Sequence, residues 1–309
     1  MEEVGFIVNP AAGSRGLASK VGETLLKDRD LKPNQVVFTK HRGYGIEAAE
    51  ELCRRGARYL GVVGGDGTVH EVANGLIRSG VECLPFVVII PVGSGNDIAA
   101  NLGISRLKSL ERLKDYLLLM GEAKSWVEWL DLIKIEAASR SCLYGVNVFS
   151  FGFSAAVAHT VAEKRIRNRL VYITSGLPKV WGAQTFPLVV NGSAIGSVLD
   201  FYVSSGPRMA GIVNLEPTAS MKDGKFEVTL VPDTSRLHRF WLVAQGILGK
   251  LRKNHHVVVM ETDSLEPLTL TLPVEMQGQI DGEPYQFDHG EISINVEHQK
   301  LPVVVTKRP

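Results

Sequence analysis

The sequence predicts an α/β protein with an N-terminal parallel-sheet domain and a mostly antiparallel β domain after it. In the first part of the chain, short apolar runs alternate with segments whose apolar residues recur every three or four positions, as on one face of a helix. Beyond about residue 125, apolar and polar residues alternate one by one, as in half-buried strands. We therefore predict domains at 1–125 and 126–297, with a C-terminal tail of about 298–309 that could pack back on the first domain.

The first domain is expected to repeat a strand and a helix. Strands are predicted at 4–8, 35–39, 59–63 and 86–90. The intervening helices are indicated by apolar stripes, which consist of Leu17, Val21 and Leu25; Ile46, Ala49, Leu52 and Cys53; and Val69, Val72, Ala73, Leu76 and Ile77. Strand–helix–strand repetition of this kind builds a parallel sheet that is covered by helices.

The second domain is expected to be a sandwich or partial barrel. Its alternating runs contain Phe226, Val228 and Leu230; Leu268, Leu270 and Leu272; and Ile292, Ile294 and Val296. Asn191-Gly192 and Asp281-Gly282 are typical of two-residue hairpin turns. One helix is predicted within 236–253, with an apolar stripe of Phe240, Ala244, Ile247, Leu248 and Leu251.

Composition limits the class of protein. The chain has 309 residues, 45% of them hydrophobic and 22% charged, and a formal net charge of +1. This balance provides no global attraction to nucleic acid, so we expect no nucleic-acid partner. The three cysteines form no CxxC pair, the N-terminus does not resemble a signal peptide, and no apolar run approaches a bilayer-spanning length. We expect a cytoplasmic protein.

Three glycine- or proline-marked turns follow predicted strands and precede predicted helices. They lie at 9–14, 64–68 and 91–97. Ligands of α/β sheets bind at the carboxyl ends of the strands, where glycine permits close approach and helix N-termini attract anions. The three turns together therefore predict a phosphate-binding edge.

Two aspartates stand within these turns. A carboxylate such as Asp66 or Asp97 would repel phosphate unless a divalent cation lay between them, so both are candidate magnesium-linked residues. The alternative for Asp66 alone is a solvated turn carboxylate. Thr68 and Ser94 also have the spacing of capping boxes, with Glu71 and Asp97 respectively, and capping without chemistry is the simpler interpretation of each.

The segments "VVGGDGTVHEVANGL" and "PVGSGNDIAANLGI" resemble the diacylglycerol kinase catalytic domain family, especially its soluble bacterial lipid kinases. The resemblance continues through "NPAAG", "NVFSFGFSA", "RNRLVYITSGLPKVW", "SMKDGKFEV" and "IDGEP", and so covers nearly the whole chain. It implies a Rossmann-like domain, a β-rich domain of sandwich type, and an active site in the interdomain cleft. The implied reaction transfers the γ-phosphoryl group of ATP to a lipid hydroxyl, with Mg²⁺.

The resemblance also implies roles for particular residues. The nucleotide would be lined by Asn9, Pro10, Ala11, Gly13, Thr39, Gly64, Gly65, Asp66, Gly67, Thr68, Ser94 and Asn96. Asp66 and Asp97 would organise the catalytic magnesium, directly or through water, and Asp131 would add a carboxylate to their network. Glu283 would be the general base, although "IDGEPY" is also an ordinary hairpin tip. A structural magnesium would be held by Asp223 and the carbonyls of Ser220 and Lys225.

Two departures from the family pattern bear on the substrate and leave alternatives open. His70 stands where the family usually has Asn, and Ser94-Gly95 is closer to the spelling in sphingosine kinases. Diacylglycerol is the simplest acceptor, with a sphingoid base, monoacylglycerol or polyprenol as alternatives. A NAD kinase is a further alternative within enzymes, and a nucleotide or lipid sensor is the alternative outside them.

A lipid kinase needs access to a membrane surface, and two segments could provide peripheral contact. The segment 164–181 carries Lys164, Arg165, Arg167, Arg169, Lys179 and Trp181, and the segment 236–253 carries Arg236, His238, Arg239, Lys250, Arg252 and Lys253. Basic flanks and tryptophan favour an anionic interface. The alternative is that the apolar stripes pack on the β domain and the charges are solvated. A homodimer is left open by the sequence.

Overall fold

A computed structural model of the chain describes residues 4–13, 16–120, 126–138, 140–164, 169–263 and 266–305. The chain forms two compact units, Met1–Leu130 with Lys300–Pro309, and Asp131–Gln299. The boundary expected from the sequence involves residue 125, which lies outside the described residues. The polypeptide passes between the units within two strands, Trp126–Ala137 and Gly290–Val305.

The first unit alternates strands and helices as the sequence predicts. Its elements are β1 (Val4–Val8), α1 (Leu17–Leu26), β2 (Val36–Phe38), α2 (Tyr44–Arg54), β3 (Tyr59–Gly64), α3 (Asp66–Arg78), β4 (Phe86–Pro91), α4 (Asp97–Asn101), α5 (Leu113–Leu118) and the start of β5 (Trp126–Ala137). The strands β2, β1, β3 and β4 pair in parallel in that order. Because both faces of this sheet are covered, its central residues are apolar without alternation.

The second unit is mostly antiparallel, as expected. Its elements are β6 (Arg140–Gly145), β7 (Val148–Gly152), α6 (Phe153–Ala162), α7 (Arg169–Gly182), β8 (Phe186–Val190), β9 (Ser193–Ser204), β10 (Arg208–Met209), β11 (Val213–Asn214), β12 (Lys225–Pro232), α8 (Arg236–Ile247), β13 (Val258–Asp263), β14 (Leu268–Leu272), β15 (Met276–Ile280), β16 (Glu283–Phe287) and β17 (Gly290–Val305).

Strand pairing in the second unit follows the order β16–β15–β7–β9–β8–β14–β17, and β12 joins β9 to β13. The main core lies on one face of these strands and includes Phe149, Phe151, Phe201, Phe226 and Phe287. Both predicted hairpin turns are confirmed. Asn191-Gly192 and Asp281-Gly282 have positive φ at both residues, which is the geometry that such two-residue turns require.

The opposite face of β9 and β12 is also covered, by a smaller cluster that includes Leu199, Tyr202 and Leu242. The polar positions that alternate along β12 are therefore buried, with Glu227 at 5% exposure and Thr229 at 0%. Burial, followed by the nearby Asp223 and Glu216 carboxylates, raises the pKa of Glu227 to about 7.

The apolar stripe predicted for α8 is only partly buried, since Leu251, just after the helix, is buried and Phe240 and Ala244 are partly buried. The buried residues of this helix are Arg239, Leu242 and Gly246, whereas Ile247 and Leu248 are exposed. The sequence pattern is ambiguous because apolar residues occur on more than one side of the helix. The long Arg239 side chain takes an inner position because its guanidinium is bound by Ala183 O and the Asp233 carboxylate.

The predicted capping boxes are wrong. Helix α3 begins at Asp66 after Gly65, so Thr68 lies inside its first turn, and α4 begins at Asp97 after Asn96 rather than after Ser94. Neither N-cap makes a side-chain capping bond. Thr68 instead uses its hydroxyl to accept a hydrogen bond from Asn9 Nδ2, at 3.1 Å.

Candidate functional site

The three glycine-marked turns of the first unit lie directly against one another. A Cβ atom on Gly93 would lie 2.4 Å from the Cα of Gly65, and one on Gly13 would lie 2.2 Å from the carbonyl oxygen of Val92. Contacts this close exclude any side chain at Gly93 and Gly13 unless the backbone moves. The structure thus brings together the turns that the sequence selects.

Backbone hydrogen bonds fix the order of these turns at the strand ends. Asn9 N donates to Val63 O at 2.9 Å, and Val92 N donates to Gly64 O at 2.9 Å. The Asn9 side chain also accepts from Ala11 N, at 3.0 Å. Thr39 follows β2, and its N–H donates to Val8 O at 2.9 Å. The predicted nucleotide residues on these strands therefore share one edge of the parallel sheet, and their role stays a prediction.

Asp66 and Asp97 approach the same backbone position. The Oδ2 atoms of Asp66 and Asp97 lie 2.9 and 3.7 Å from the point that a Cβ on Gly95 would occupy. The Asp66 carboxylate is oriented by Ile98 N, which donates to its Oδ1 atom at 3.0 Å. Because Gly95 has no side chain, nothing at this position separates the two carboxylates, and both could bind one cation.

Asn96 links the third turn to this pair. It has a φ of 55°, and its Nδ2 donates to Gly93 O at 2.8 Å. Its buried Oδ1 atom has no hydrogen-bond partner among the described residues. A buried amide oxygen without a partner is costly, so a donor or cation at this position would lower the free energy of the site.

Glu71 has a role that the sequence did not reveal. Its carboxylate accepts hydrogen bonds from Gly43 N at 2.7 Å and from Gly45 N at 2.9 Å. These groups belong to the start of α2, where a negative charge is favourable. The contact spans more than two dozen residues, so no local sequence signal could have identified it. His70, next to Glu71, is buried at 1% exposure.

The turn that carries Glu283 is firmly anchored within the second unit. The buried carboxylate of Asp281 accepts hydrogen bonds from Val146 N, Asn147 N and Val148 N at 2.8, 2.7 and 3.0 Å. Glu283 is the first residue of β16 and is partly exposed. The hairpin tip and a positioned carboxylate are therefore compatible, and Asp281 is a supporting residue that sequence reasoning missed.

Asp131 is fully buried, and its carboxylate is hydrogen-bonded to backbone N–H groups. Its carboxylate accepts from Gly224 N at 2.7 Å and from Gln299 N at 2.8 Å, and it lies 2.6 Å from His298 Nδ1. The structure therefore brings Asp131 together with the loop that contains Asp223. Its expected part in a magnesium network stays a prediction.

The expected structural magnesium site lies on this loop. The Asp223 carboxylate is exposed and accepts a hydrogen bond from Lys225 N at 3.1 Å. Ser220 precedes it on the same loop. Within the described residues, there is no group of three or more His, Cys, Asp or Glu side chains that could hold a metal ion. Any metal at either predicted site would need ligands from backbone, water or substrate as well.

Residues 3–124 match the family model of the diacylglycerol kinase catalytic domain. This match confirms, for residues 3–124, the resemblance found in the sequence. The class of enzyme that this domain supports is a kinase. None of the helices that the structure describes combines the length and apolar character needed to cross a bilayer.

Similar proteins match over most of the chain at low identity. A protein named diacylglycerol kinase from Bacillus subtilis (strain 168) is 23% identical, over 92% of this chain and 93% of its own. A candidate lipid kinase, YtlR, from the same strain is 24% identical, over 90% of this chain and 93% of its own. A solved structure from Bacillus anthracis str. Sterne, described as a candidate diacylglycerol kinase, has a TM-score of 0.72 at 21% identity, and 99% of this chain and 97% of that chain are covered. This likeness shows the fold.

Proposed function

We propose that the protein is an ATP- and Mg²⁺-dependent lipid kinase, and that diacylglycerol is its acceptor and phosphatidic acid its product. The observation that carries the proposal is the Asp66–Asp97 pair beside the packed glycine turns of a diacylglycerol kinase catalytic domain. The similarity to a protein named diacylglycerol kinase, over 92% of this chain, supports the choice of acceptor.

The glycine turns suit the phosphates of ATP. Gly65 and Gly93 let two of the turns pack against each other without a side chain between them. The N–H groups at the start of α3 can donate hydrogen bonds to a phosphate, whose negative charge is favourable at a helix N-terminus. Thr68 and Asn9 are joined by a hydrogen bond and would hold the first turn against the second. Gly13 would bring the loop after β1 to the same edge.

Asp66 and Asp97 suit a magnesium ion that is shared with the phosphates. Mg²⁺ in phosphoryl-transfer sites is commonly bound by one or two carboxylates, with substrate oxygens and water as its other ligands. When bound, the ion would neutralise charge on the transferred phosphoryl group. The hydrogen bond from Ile98 N fixes the direction of the Asp66 carboxylate before any ion arrives.

Glu283 is proposed as the general base. Its carboxylate would take the proton of the lipid hydroxyl while that oxygen forms a bond to the γ-phosphorus of ATP. The bond between the γ-phosphorus and the bridging oxygen would break, and its electron pair would leave with ADP. The anchored Asp281-Gly282 turn supports this role, because a base must be held in place to act on one hydroxyl.

Two exposed apolar stripes support contact with a membrane surface. Leu170, Leu177 and Trp181 are exposed on α7, and Leu237 and Trp241 are exposed on α8, with Leu248 exposed just after it. The two helices are in contact, and the guanidinium of Arg236 lies 5.2 Å from the ring centroid of Trp181. The segments 164–181 and 236–253 contain no acidic residue. This surface is suited to anionic lipid.

Several basic residues of the two segments do not contribute freely to that surface. Arg239 is buried, and Arg252 forms an ion pair with Glu216 at 3.2 Å. Arg165 and Arg167 lie outside the described residues. Arg236 is a described cation that lies over the exposed tryptophan at the end of α7.

The activity is tested with purified protein, ATP, Mg²⁺ and mixed vesicles that contain diacylglycerol, a sphingoid base, monoacylglycerol or a polyprenol. We expect phosphatidic acid as the main product, and Asp66→Asn should reduce turnover by at least about a hundredfold without unfolding the protein. If another lipid is phosphorylated instead, that lipid is the acceptor and diacylglycerol is not. If no lipid is phosphorylated, or if NADP is formed from NAD instead, the proposal fails.

Membrane contact is tested by sedimentation with phosphatidylcholine vesicles, with and without phosphatidylglycerol. We expect the anionic vesicles to retain more protein, and the double variant Leu237→Ser, Trp241→Ser should release it. Val274→Ser is the matched control, because Val274 is 59% exposed in the same unit but lies outside the two helices. Equal retention of the double variant and the control would rule out this surface.

A further inference from the structure

A line of buried polar side chains leads to the turn that carries Glu283. Gly282 N donates to Gln279 Oε1 at 2.7 Å, and Gln279 Nε2 donates to Ser150 Oγ at 2.8 Å. Ser150 Oγ lies 2.7 Å from Ser154 Oγ, which lies 2.8 Å from Asp200 Oδ1. The four side chains are each at most 9% exposed.

These residues come from separate elements of the second unit. Ser150 is on β7, Gln279 is opposite it on β15, and Asp200 is opposite Gly152 on β9. Ser154 is in the first turn of α6, and its backbone N–H also donates to both oxygens of Asp200, at 3.2 Å. The line therefore ties a helix start and three strands to one turn amide.

The direction of the line depends on the charge of Asp200. Each serine hydroxyl has one hydrogen, so while Asp200 is ionised and accepts from Ser154, the Ser154 oxygen must accept from Ser150. Ser150 then accepts from the amide of Gln279, whose oxygen accepts from Gly282. Every donor points toward Asp200, and hydrogen bonds in such a chain strengthen one another.

We propose that the line from Asp200 through Ser154, Ser150 and Gln279, which we call the polar relay, positions the Glu283 carboxylate for phosphoryl transfer. This inference rests on the proposed function, because it assigns the four residues to the support of the proposed base. They are positioning residues, since they act on Glu283 through the Gly282 amide and touch no substrate.

The contacts of the turn explain why the relay is needed. Asp281 holds its own side of the turn through Val146 N, Asn147 N and Val148 N. The Gly282 amide, on the side next to Glu283, is held by Gln279. Gln279 can keep this orientation only if its NH₂ group has a buried acceptor, and Ser150 supplies it. Loss of the relay would let the Glu283 side of the turn move while Asp281 stays fixed.

The relay is tested with Ser150→Ala, which removes a hydroxyl that is linked to the Gly282 amide through two successive hydrogen bonds. Ser204→Ala is the matched control, because Ser204 is equally buried, lies on β9 and has a hydroxyl without a partner among the described residues. The two readouts are kcat with KM for ATP, and the hydrogen-exchange rate of the Gly282 amide. Ser154→Ala is a second variant should Ser150→Ala fold poorly.

We expect Ser150→Ala to lower kcat roughly tenfold while KM for ATP changes less than about twofold, since the base is displaced but the nucleotide turns are untouched. Exchange at Gly282 should quicken by about tenfold or more, and Ser204→Ala should change neither quantity. A merely structural role would lower stability without this split between kcat and KM.

Two results separate the possible failures. If the wild type phosphorylates lipid and Ser150→Ala equals Ser204→Ala in kcat or in Gly282 exchange, the relay does not position the base, and the proposed function stands. If the wild type phosphorylates none of the lipids, the proposed function fails, and Glu283 is no longer a base for the relay to position.

Discussion

The glycine turns of the first unit and the Asp281 turn of the second are shaped in opposite ways. The first are defined by missing side chains, since a Cβ on Gly93 would lie 2.4 Å from Gly65 Cα. The second is defined by side chains that fill the hydrogen-bonding needs of backbone, since the Asp281 carboxylate accepts from three N–H groups. The glycine turns thus depend on the absence of side chains, and the Asp281 turn depends on the presence of one carboxylate.

This difference determines how each region should respond to substitution. Adding a methyl group should lower the stability of a turn that depends on close approach, whereas changing a polar atom there should change the stability little. The reverse is expected for the Asp281 turn, where an unsatisfied buried N–H group costs more than a small change in volume. Four substitutions or conditions test the comparison, in order of expected effect.

Asp281→Ala should have the largest effect. The change leaves the buried amides of Val146, Asn147 and Val148 without their acceptor, and we expect a loss of roughly 3–5 kcal/mol in the free energy of unfolding. Urea denaturation measures it. Asp288→Ala is the control, since Asp288 is an exposed aspartate just after β16. Equal losses in the two variants would show that the hydrogen bonds of Asp281 do not shape the turn.

A change in pH should affect the second region next. Burial raises the pKa of Asp200 from 3.8 to about 7, against the lowering effect of its bonds to Ser154 and Phe201. The folded form thus binds this proton more tightly than the unfolded chain does, so the contribution of Asp200 to stability is full below about pH 4 and is lost as pH rises through 7, by up to ~4 kcal/mol. Burial is the main reason that the pKa of Tyr202 is raised, and the negative charge of Asp200 is the next largest cause.

The measurement compares unfolding at pH 5 and pH 8 for the wild type and Asp200→Asn. The variant should lose part of the pH dependence, and Glu227, whose pKa is also about 7, should supply part of the remainder, together with Glu216, whose pKa is raised by burial. Hydrogen exchange should locate the change at the start of α6 rather than at the glycine turns. An unchanged pH dependence in Asp200→Asn would contradict this assignment.

Gly93→Ala should have an intermediate effect. The added methyl group would press on Gly65, and we expect a loss of about 1–3 kcal/mol together with weaker binding of ATP. Gly182→Ala provides the control, because a Cβ on Gly182 would meet nothing within 4 Å. Thermal unfolding and nucleotide titration measure the two effects. Normal ATP binding by Gly93→Ala would mean that close approach is not what the turns provide.

Glu71→Gln should have the smallest effect. The amide keeps an oxygen for one of the N–H groups of Gly43 and Gly45 but loses the negative charge at the start of α2, which should cost about 1 kcal/mol. Glu47→Gln, at an exposed position of the same helix, should cost less. A larger loss than for Gly93→Ala would show that polar contacts matter in the first region as well.

The sequence predicted the elements whose signal is local. Four strands and three helices of the first unit are predicted from periodicity, and the turns at Asn191 and Asp281 from residue types that tolerate positive φ. The glycine turns could be selected because the position of a strand end is visible in the sequence. These features depend on short stretches of chain.

The errors came where distant contacts decide the outcome. The outer face of β12 looks solvated in the sequence, but Glu227 and Thr229 are buried because another layer covers them. The buried face of α8 is decided by the partners of Arg239. The polar relay was missed for the same reason, since Ser150 and Gln279 meet across more than a hundred residues of chain.

The strand Gly290–Val305 determines when the sheet of the first unit can be completed during synthesis. Residues 300–305 belong to the first unit, where Val303 pairs with Val87 on β4, yet they follow the entire second unit in the chain. As the protein leaves the ribosome, β4 must therefore wait with an open edge until all of the second unit has been translated. During that interval the nascent first unit is exposed to mispairing, and chaperone contact would be most useful there.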